Sequence, residues 1–357
     1  MDNVAADARP PALTLAGVNA WTPPERGGIR SATPQEILAG LTADVYFVGS
    51  LEVLDHLGLA DTPVVAEVFA NRAGLLAGVE EALAVLEPLG VEVEALDEGE
   101  WVEARQVVMR IAGPYRRFGV YETALLGILA ASSGWATAAR EVVLAADGAP
   151  VISFGARHVH PAVAAVMDRA ALVGGAHGAS SILGARQAGQ RPAGTMPHAL
   201  MLMVGDTVEV ARAFDRLMPP DVPRTVLVDT FKDEAEEALR VAEALGPRLS
   251  AVRLDTPRER GGVTPHLVRE LRARLDQAGY SHVGIFVSGG LTPDRIRELR
   301  QAGASGFGVG SYIAGAPPLD MTMDVKVVAG RPVAKRGRIP GLTAAPGLRR
   351  RLPKTSG

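Results

Sequence analysis

The chain has 357 residues, 47% of them hydrophobic and 22% charged, a globular balance that excludes a mainly disordered protein. Its 37 basic and 40 acidic residues leave a net charge of −3, without the basic excess of a general nucleic-acid binder. Cysteine is absent, which excludes disulfides, thiolate nucleophiles, Cys-ligated zinc and iron–sulfur clusters.

Residues 1–11 are polar and acidic and lack the apolar core of a signal peptide. The segment to residue 30 is Pro-rich and irregular, and Thr33-Pro34-Gln35-Glu36 then reads as a helix start closed by a capping box. Residues 64–69 form a short apolar run that predicts a strand, and 73–89 carry helical periodicity. Residues 91–95 alternate as a strand does, and 106–111 predict another. Helices are expected over 121–131 and 135–146. The uncharged stretch 123–139 is too short and too rich in Thr, Ser and Gly to span a bilayer, so no membrane is expected and the location reads as the cytoplasm.

From Pro150 the rhythm changes. Apolar runs at 151–153, 225–228, 251–254, 283–287 and 306–309, with weaker ones at 172–173 and 193–195, alternate with helices at 234–245, 264–278 and 292–302. Strands alternating with helices imply parallel strands joined by right-handed crossovers, and six or seven such units suit a (β/α) barrel better than a doubly wound sheet. Residues 323–328 read as one more β segment before a basic end.

Polar and Gly-rich residues follow each proposed strand: Phe154-Gly155-Ala156-Arg157, Gly174-Gly175-Ala176-His177, Gly194 through His198, Asp229-Thr230-Phe231-Lys232, Asp255-Thr256-Pro257-Arg258, Ser288-Gly289-Gly290 and Gly308-Val309-Gly310-Ser311. In a (β/α) barrel these positions converge on the face that carries active sites. The last two loops are the phosphate candidates, because small residues let backbone N–H groups approach an anion. Asp229 and Asp255 read either as caps of the next helix or as groups facing one pocket, holding ribose hydroxyls or a Mg²⁺ ion on phosphates. Arg157 and Arg253 suit bidentate contact with a carboxylate or phosphate. Arg253 stands inside a proposed strand, so its side chain must enter a polar barrel interior or meet a buried acid. The histidines at 158, 160, 177 and 198 lack the ligand spacing of a metal site.

The ordered set Leu41-Thr42-Ala43-Asp44-Val45-Tyr46, Tyr121-Glu122-Thr123-Ala124, Ser133-Gly134-Trp135, Phe154-Gly155-Ala156-Arg157, Gly194-Thr195-Met196-Pro197-His198, Val228-Asp229-Thr230-Phe231, Arg253-Leu254-Asp255-Thr256, Ser288-Gly289-Gly290, Gly308-Val309-Gly310-Ser311 and Lys335-Arg336-Gly337 resembles the nicotinate phosphoribosyltransferases, in particular their short prokaryotic and archaeal branch, with a visible relationship to quinolinate phosphoribosyltransferase. The resemblance implies an α/β fold: an irregular (β/α) barrel over 121–322, and an N-terminal mixed α/β sandwich over 1–120 to which strands of 323–357 return. It implies transfer of phosphoribosyl from 5-phosphoribosyl 1-pyrophosphate to nicotinate in NAD salvage, coupled to ATP hydrolysis as in a ligase, with Mg²⁺. His198 would be the phosphorylated histidine, and Arg157, Asp229 and Asp255 would hold pyrophosphate, Mg²⁺ or ribose. Tyr46 from a second subunit and Phe154 would sandwich the pyridine ring. Arg253, with Ser180 and Thr195, would meet the nicotinate carboxylate. Ser288, Gly289, Gly290, Gly308, Gly310 and Ser311 would hold the 5-phosphate. A homodimer or higher homo-oligomer with shared sites follows from the same resemblance.

Two alternatives stand beside it. Quinolinate phosphoribosyltransferase decarboxylates a dicarboxylate, and its members typically place Arg after Glu where this chain has Glu122 after Tyr121. The other is a non-catalytic barrel that binds nucleotides. Nicotinamide as acceptor calls for an acidic residue near Ala179-Ser180-Ser181, and none is there.

Overall fold

The computed structural model describes residues 13–22, 28 and 30–353. The expectation for residues 1–11 lies outside the described residues. The chain divides into two compact units, Met1–Gly134 with Pro317–Gly357, and Trp135–Ala316.

In the first unit, Thr33 Oγ1 accepts from Glu36 N, and Glu36 accepts from Thr33 N at 2.8 Å, so the helix Pro34–Leu38 opens on the capping box. A helix at Leu15–Ala20 precedes it, within a stretch that reads as irregular in sequence. The strands β1 (Pro63–Ala70), β2 (Gly74–Leu75), β3 (Glu92–Ala95), β4 (Trp101–Val102) and β5 (Val107–Pro114) follow. The helix expected over 73–89 is shorter, at Val79–Leu86. Gly78 delays it with φ +86°, held where an added Cβ would lie 2.8 Å from the Ile128 carbonyl. Residues before it form β2, which pairs with β4.

The two helices expected between 121 and 146 are one, Glu122–Ala145. Gly134 does not break it. A Cβ there would sit 2.4 Å from the Pro317 carbonyl, so the glycine serves close backbone approach.

The second unit holds β6 (Val151–Ser153), β7 (Gly178–Ala179), β8 (Arg224–Leu227), β9 (Leu249–Leu254), β10 (Gly284–Ser288) and β11 (Gly306–Val309). They pair in parallel in the order β7-β6-β11-β10-β9-β8, a half-barrel with β7 and β8 at its edges. Crossover helices include Pro161–Val173, Glu234–Leu245, Pro265–Gln277 and Pro293–Gln301. Their apolar faces meet Val226, Val252, Ile285, Val287 and Phe307 in one buried core.

Two strand expectations fail here. Residues 172–173 end the helix Pro161–Val173, which His160 caps by accepting from Ala162 N. Residues 193–195 are irregular, and the edge position belongs to β7, which Ala193 touches through one bond from its N–H to the Ala179 carbonyl at 2.9 Å.

The chain then returns to the first unit with β12 (Met321–Val328), β13 (Arg331–Pro332) and β14 (Arg349–Leu352). The first unit's sheet runs β13-β12-β1-β5-β3-β14, antiparallel throughout. Val68, Ile111, Leu76 and Leu86 lie in its core. Glu67 of β1, only 1% exposed, pairs with Arg110 of β5 at 2.8 Å. Among the described residues no helix is long and apolar enough to cross a membrane.

Candidate active site

The loops after β6, β7 and β9 and the segment 194–198 converge at the C-terminal ends of the parallel strands, whereas the loop Gly174 to His177 lies at their opposite ends, contrary to expectation. A cavity of about 600 Å³ is lined there by Phe154, Arg157, Ser180, Thr195, His198, Arg253 and Asp255, among others. Arg253 projects from β9 into the polar interior of the half-barrel. Its Nε donates to Ser288 Oγ at 2.9 Å, Nη1 to Thr195 Oγ1 at 2.8 Å and Nη2 to Asp255 Oδ2 at 2.9 Å. The guanidinium stands 5.3 Å from the Phe154 ring centroid. Burial pulls its pKa below the ordinary arginine value, and the neighbouring Asp255 and Asp229 oppose that pull.

Behind Arg253 lies a second layer. Ser288 Oγ, at the end of β10, donates to Asp255 Oδ1 at 3.0 Å. Asp229 follows β8 with its side chain fully buried. Its Oδ2 accepts from Asp255 N at 2.8 Å, and its Oδ1 lies 3.0 Å from His198 Nε2. Burial raises the Asp229 pKa, while the Asp255 N–H and His198 counter it. Asp229 therefore fixes the strand-end loop that carries Asp255 and orients the His198 ring. His198 opens the helix His198–Val204 instead of ending a strand.

The glycine loops have specific spatial reasons. A Cβ on Gly308 would fall 2.3 Å from the Phe154 ring, so this glycine makes room for the aromatic wall. Gly310 lies against the Phe154 carbonyl and the His158 imidazole, where a Cβ would be 2.9 and 3.0 Å away. Gly289 and Gly290 have φ of +97° and +61°, beside Asp255 and Arg258 respectively. Ser311 begins the short helix Ser311–Ala314, which Trp135 holds by donating Nε1–H to the Ala314 carbonyl at 3.3 Å.

Tyr46 belongs to the first unit, on the helix Val45–His56, and is 61% exposed; it is not among the residues lining the cavity. His177 stands at the opposite end of β6, its Nδ1 accepting from Val151 N at 3.2 Å. Arg258 and Asp168 carry no role in the sequence reading. Arg258 had its place in a loaded loop as a signal, whereas Asp168 had none. Among the described residues no group of three or more His, Asp or Glu is placed to hold a metal ion.

Family models for quinolinate phosphoribosyl transferase match both parts of the chain, the N-terminal domain over residues 44–133 and the C-terminal domain over 135–324. The chain belongs to the quinolinate phosphoribosyl transferase family. It is similar to the crystal structure of a nicotinate-nucleotide pyrophosphorylase from Pyrococcus furiosus, with a TM-score of 0.85 and 45% identity over 89% of this chain and 82% of that one. It is 36% identical over 240 residues to a Mycobacterium tuberculosis protein named nicotinate phosphoribosyltransferase pncB2, which covers 64% of this chain. The chain spans 50% of the length of that curated relative. A probable nicotinate-nucleotide pyrophosphorylase [carboxylating] of Methanothermobacter thermautotrophicus is 22% identical over 74% of this chain and 89% of its own length.

These matches correct the activity expected from the motifs. Both domains match the quinolinate phosphoribosyl transferase models and the structural likeness is to a nicotinate-nucleotide pyrophosphorylase, which overturns the reading as an ATP-coupled nicotinate phosphoribosyltransferase. The expectation of ATP as a co-substrate falls with it, because the family's decarboxylating transfer uses no ATP. The ligase and phosphohistidine expectations go too. In the structure the His198 Nε2 meets the buried Asp229 carboxylate at 3.0 Å.

Proposed function

We propose that this chain transfers the 5-phosphoribosyl group of 5-phosphoribosyl 1-pyrophosphate to quinolinate, releasing pyrophosphate and CO₂ and leaving nicotinate mononucleotide. The observation that carries the reading is Arg253, a guanidinium buried inside the half-barrel beside the face of Phe154, within a chain of this family. An aromatic acid is met there by a ring for its π face and a fixed cation for its carboxylate. Arg157 at the cavity wall supplies a second cation for a second anionic group.

The pyridine nitrogen is already a nucleophile, so C–N bond formation needs no general base. The barrier lies in breaking the ribose C1–O bond, where positive charge develops as pyrophosphate leaves. Asp255, with Asp229 behind it, places carboxylate charge toward the developing cation, and arginines face the departing anion. Alignment of ring and sugar in one cavity contributes the rest. Loss of CO₂ leaves an electron pair at ring C2 beside the quaternised nitrogen, and that carbon then takes a proton from solvent or a site acid. Ser180 and Thr195 flank the acceptor in this scheme, and the Ser288–Gly290 and Gly308–Ser311 loops take the 5-phosphate. A second copy of the chain supplying exposed Tyr46 to the ring belongs to the same proposal. Mixing inactive Tyr46→Ala and Asp255→Ala proteins should then restore activity.

The deciding experiment supplies purified protein with quinolinate and phosphoribosyl pyrophosphate, without ATP, and measures nucleotide and CO₂ by mass. One CO₂ per nucleotide is expected. Nucleotide formed from nicotinate alone, or formed only with ATP, would overturn the reading.

A further inference from the structure

Asp168 sits on the helix Pro161–Val173 and is 0% exposed. Its hydrogen-bond partners among the described residues are neutral. Ser153 Oγ donates to Oδ1 at 2.7 Å, Ser181 N donates to Oδ2 at 3.2 Å, and Ser181 Oγ also donates to Oδ2. A buried carboxylate with no cation is a costly way to fill space, so packing alone does not account for it. What it offers is acceptor capacity without a donor. Both serine hydroxyl protons are committed to it, and the Ser181 oxygen is left to accept from Gly184 N at 3.3 Å, capping the helix Ile182–Gln187. Gly184 is fitted to this contact, since a Cβ there would lie 2.6 Å from the Asp168 Cβ.

The two segments joined through Asp168 are walls of the cavity. Ser153 ends β6 and directly precedes Phe154. Ser181 directly follows Ser180, and Phe154, Ser180 and Ser181 line the same cavity as Arg253. A backbone bond from Ser180 N to the Ser153 carbonyl at 3.0 Å ties the same segments a second time. The backbone bond sets their spacing, and Asp168 sets the rotation of the two serines.

We propose that Asp168 is a positioning residue for the acceptor: it holds the Phe154 and Ser180–Ser181 walls in register with Arg253, and so sets affinity for the pyridine acid without touching it. This rests on the transferase reading above. Asp168→Asn keeps the shape but replaces one acceptor oxygen with an N–H donor, which forces a serine hydroxyl to turn its proton away. Equilibrium binding of quinolinate and of phosphoribosyl pyrophosphate, measured separately by calorimetry alongside the melting temperature, tests it. Quinolinate affinity should fall about tenfold, the usual cost of loosening a supporting shell, with phosphoribosyl pyrophosphate affinity unchanged. Ser181→Ala removes one donor, should shift quinolinate affinity the same way, and decides the matter if Asp168→Asn fails to fold. Equal loss of both ligands, or a lowered melting temperature with quinolinate affinity intact, would overturn the inference. A wild type that binds phosphoribosyl pyrophosphate but no pyridine acid would remove the transferase reading, and this inference with it.

Discussion

A guanidinium inside a barrel persists when its N–H groups are matched by acceptors in its own plane. Arg253 meets that condition through Thr195, Ser288 and Asp255. Lysine carries one point charge and cannot reproduce the fork. Arg253→Lys should therefore weaken quinolinate binding by roughly 1.5–3 kcal/mol, the range for hydrogen bonds to charged groups. Phosphoribosyl pyrophosphate binding should hold, and a titration that shows both ligands weakened equally would place Arg253 on the phosphates instead. Arg253 was legible in the sequence because a charge inside an apolar strand demands a reason. Asp168 was not, because an Asp among alanines on a helix reads as a solvated face until the serines beside it are placed by the fold.

At the scale of elements, short backbone–side-chain fits decide more than periodicity does. Gly308 belongs to a loop that reads as a phosphate cradle, yet its lack of a side chain is spent on the Phe154 ring. Gly308→Ala should displace that ring, at the 1–3 kcal/mol typical of overpacking. The loss should register in quinolinate affinity and in melting temperature, whereas a pure phosphate role would lower only phosphoribosyl pyrophosphate affinity. The same principle explains the helix errors. Gly78 ends a helical pattern that the sequence extends back to residue 73, and Gly134 sits within Glu122–Ala145 without ending it. Periodicity cannot distinguish the two cases, because each glycine answers to a backbone atom far away in sequence, Ile128 for Gly78 and Pro317 for Gly134.

For the molecule as a whole, stability acquires a pH dependence from Glu122 in the first unit. Burial and the nearby charge of Asp324 raise its pKa from 4.5 to about 7, with Lys335 opposing. The folded state thus binds this proton more tightly than the unfolded chain does. The stability contributed by the protonated form is complete at low pH and is lost as pH rises from about 4.5 to about 7. Glu122→Gln removes the ionisable group. Its melting temperature should rise relative to wild type across that window and stay level above it. A difference that does not change with pH would show that Glu122 keeps an ordinary carboxylate pKa.

Composition, strand and helix rhythm, and the polar residues after each strand were local properties, and they determined by themselves an α/β chain with a parallel barrel and a loaded C-terminal face. The segments that bring Phe154, Arg157, Thr195, His198, Arg253 and Asp255 to one cavity were also legible, because loops at one end of such a barrel converge whatever their separation in the chain, whereas Ser180 entered only through the family resemblance. Tertiary structure alone decided the rest. It placed His177 at the far end of β6, engaged His198 with Asp229, and turned Ser288 and Asp168 inward as supports. Each of these depends on a partner distant in sequence, and a hydrogen bond has no signature in the chain until both of its ends have been brought together.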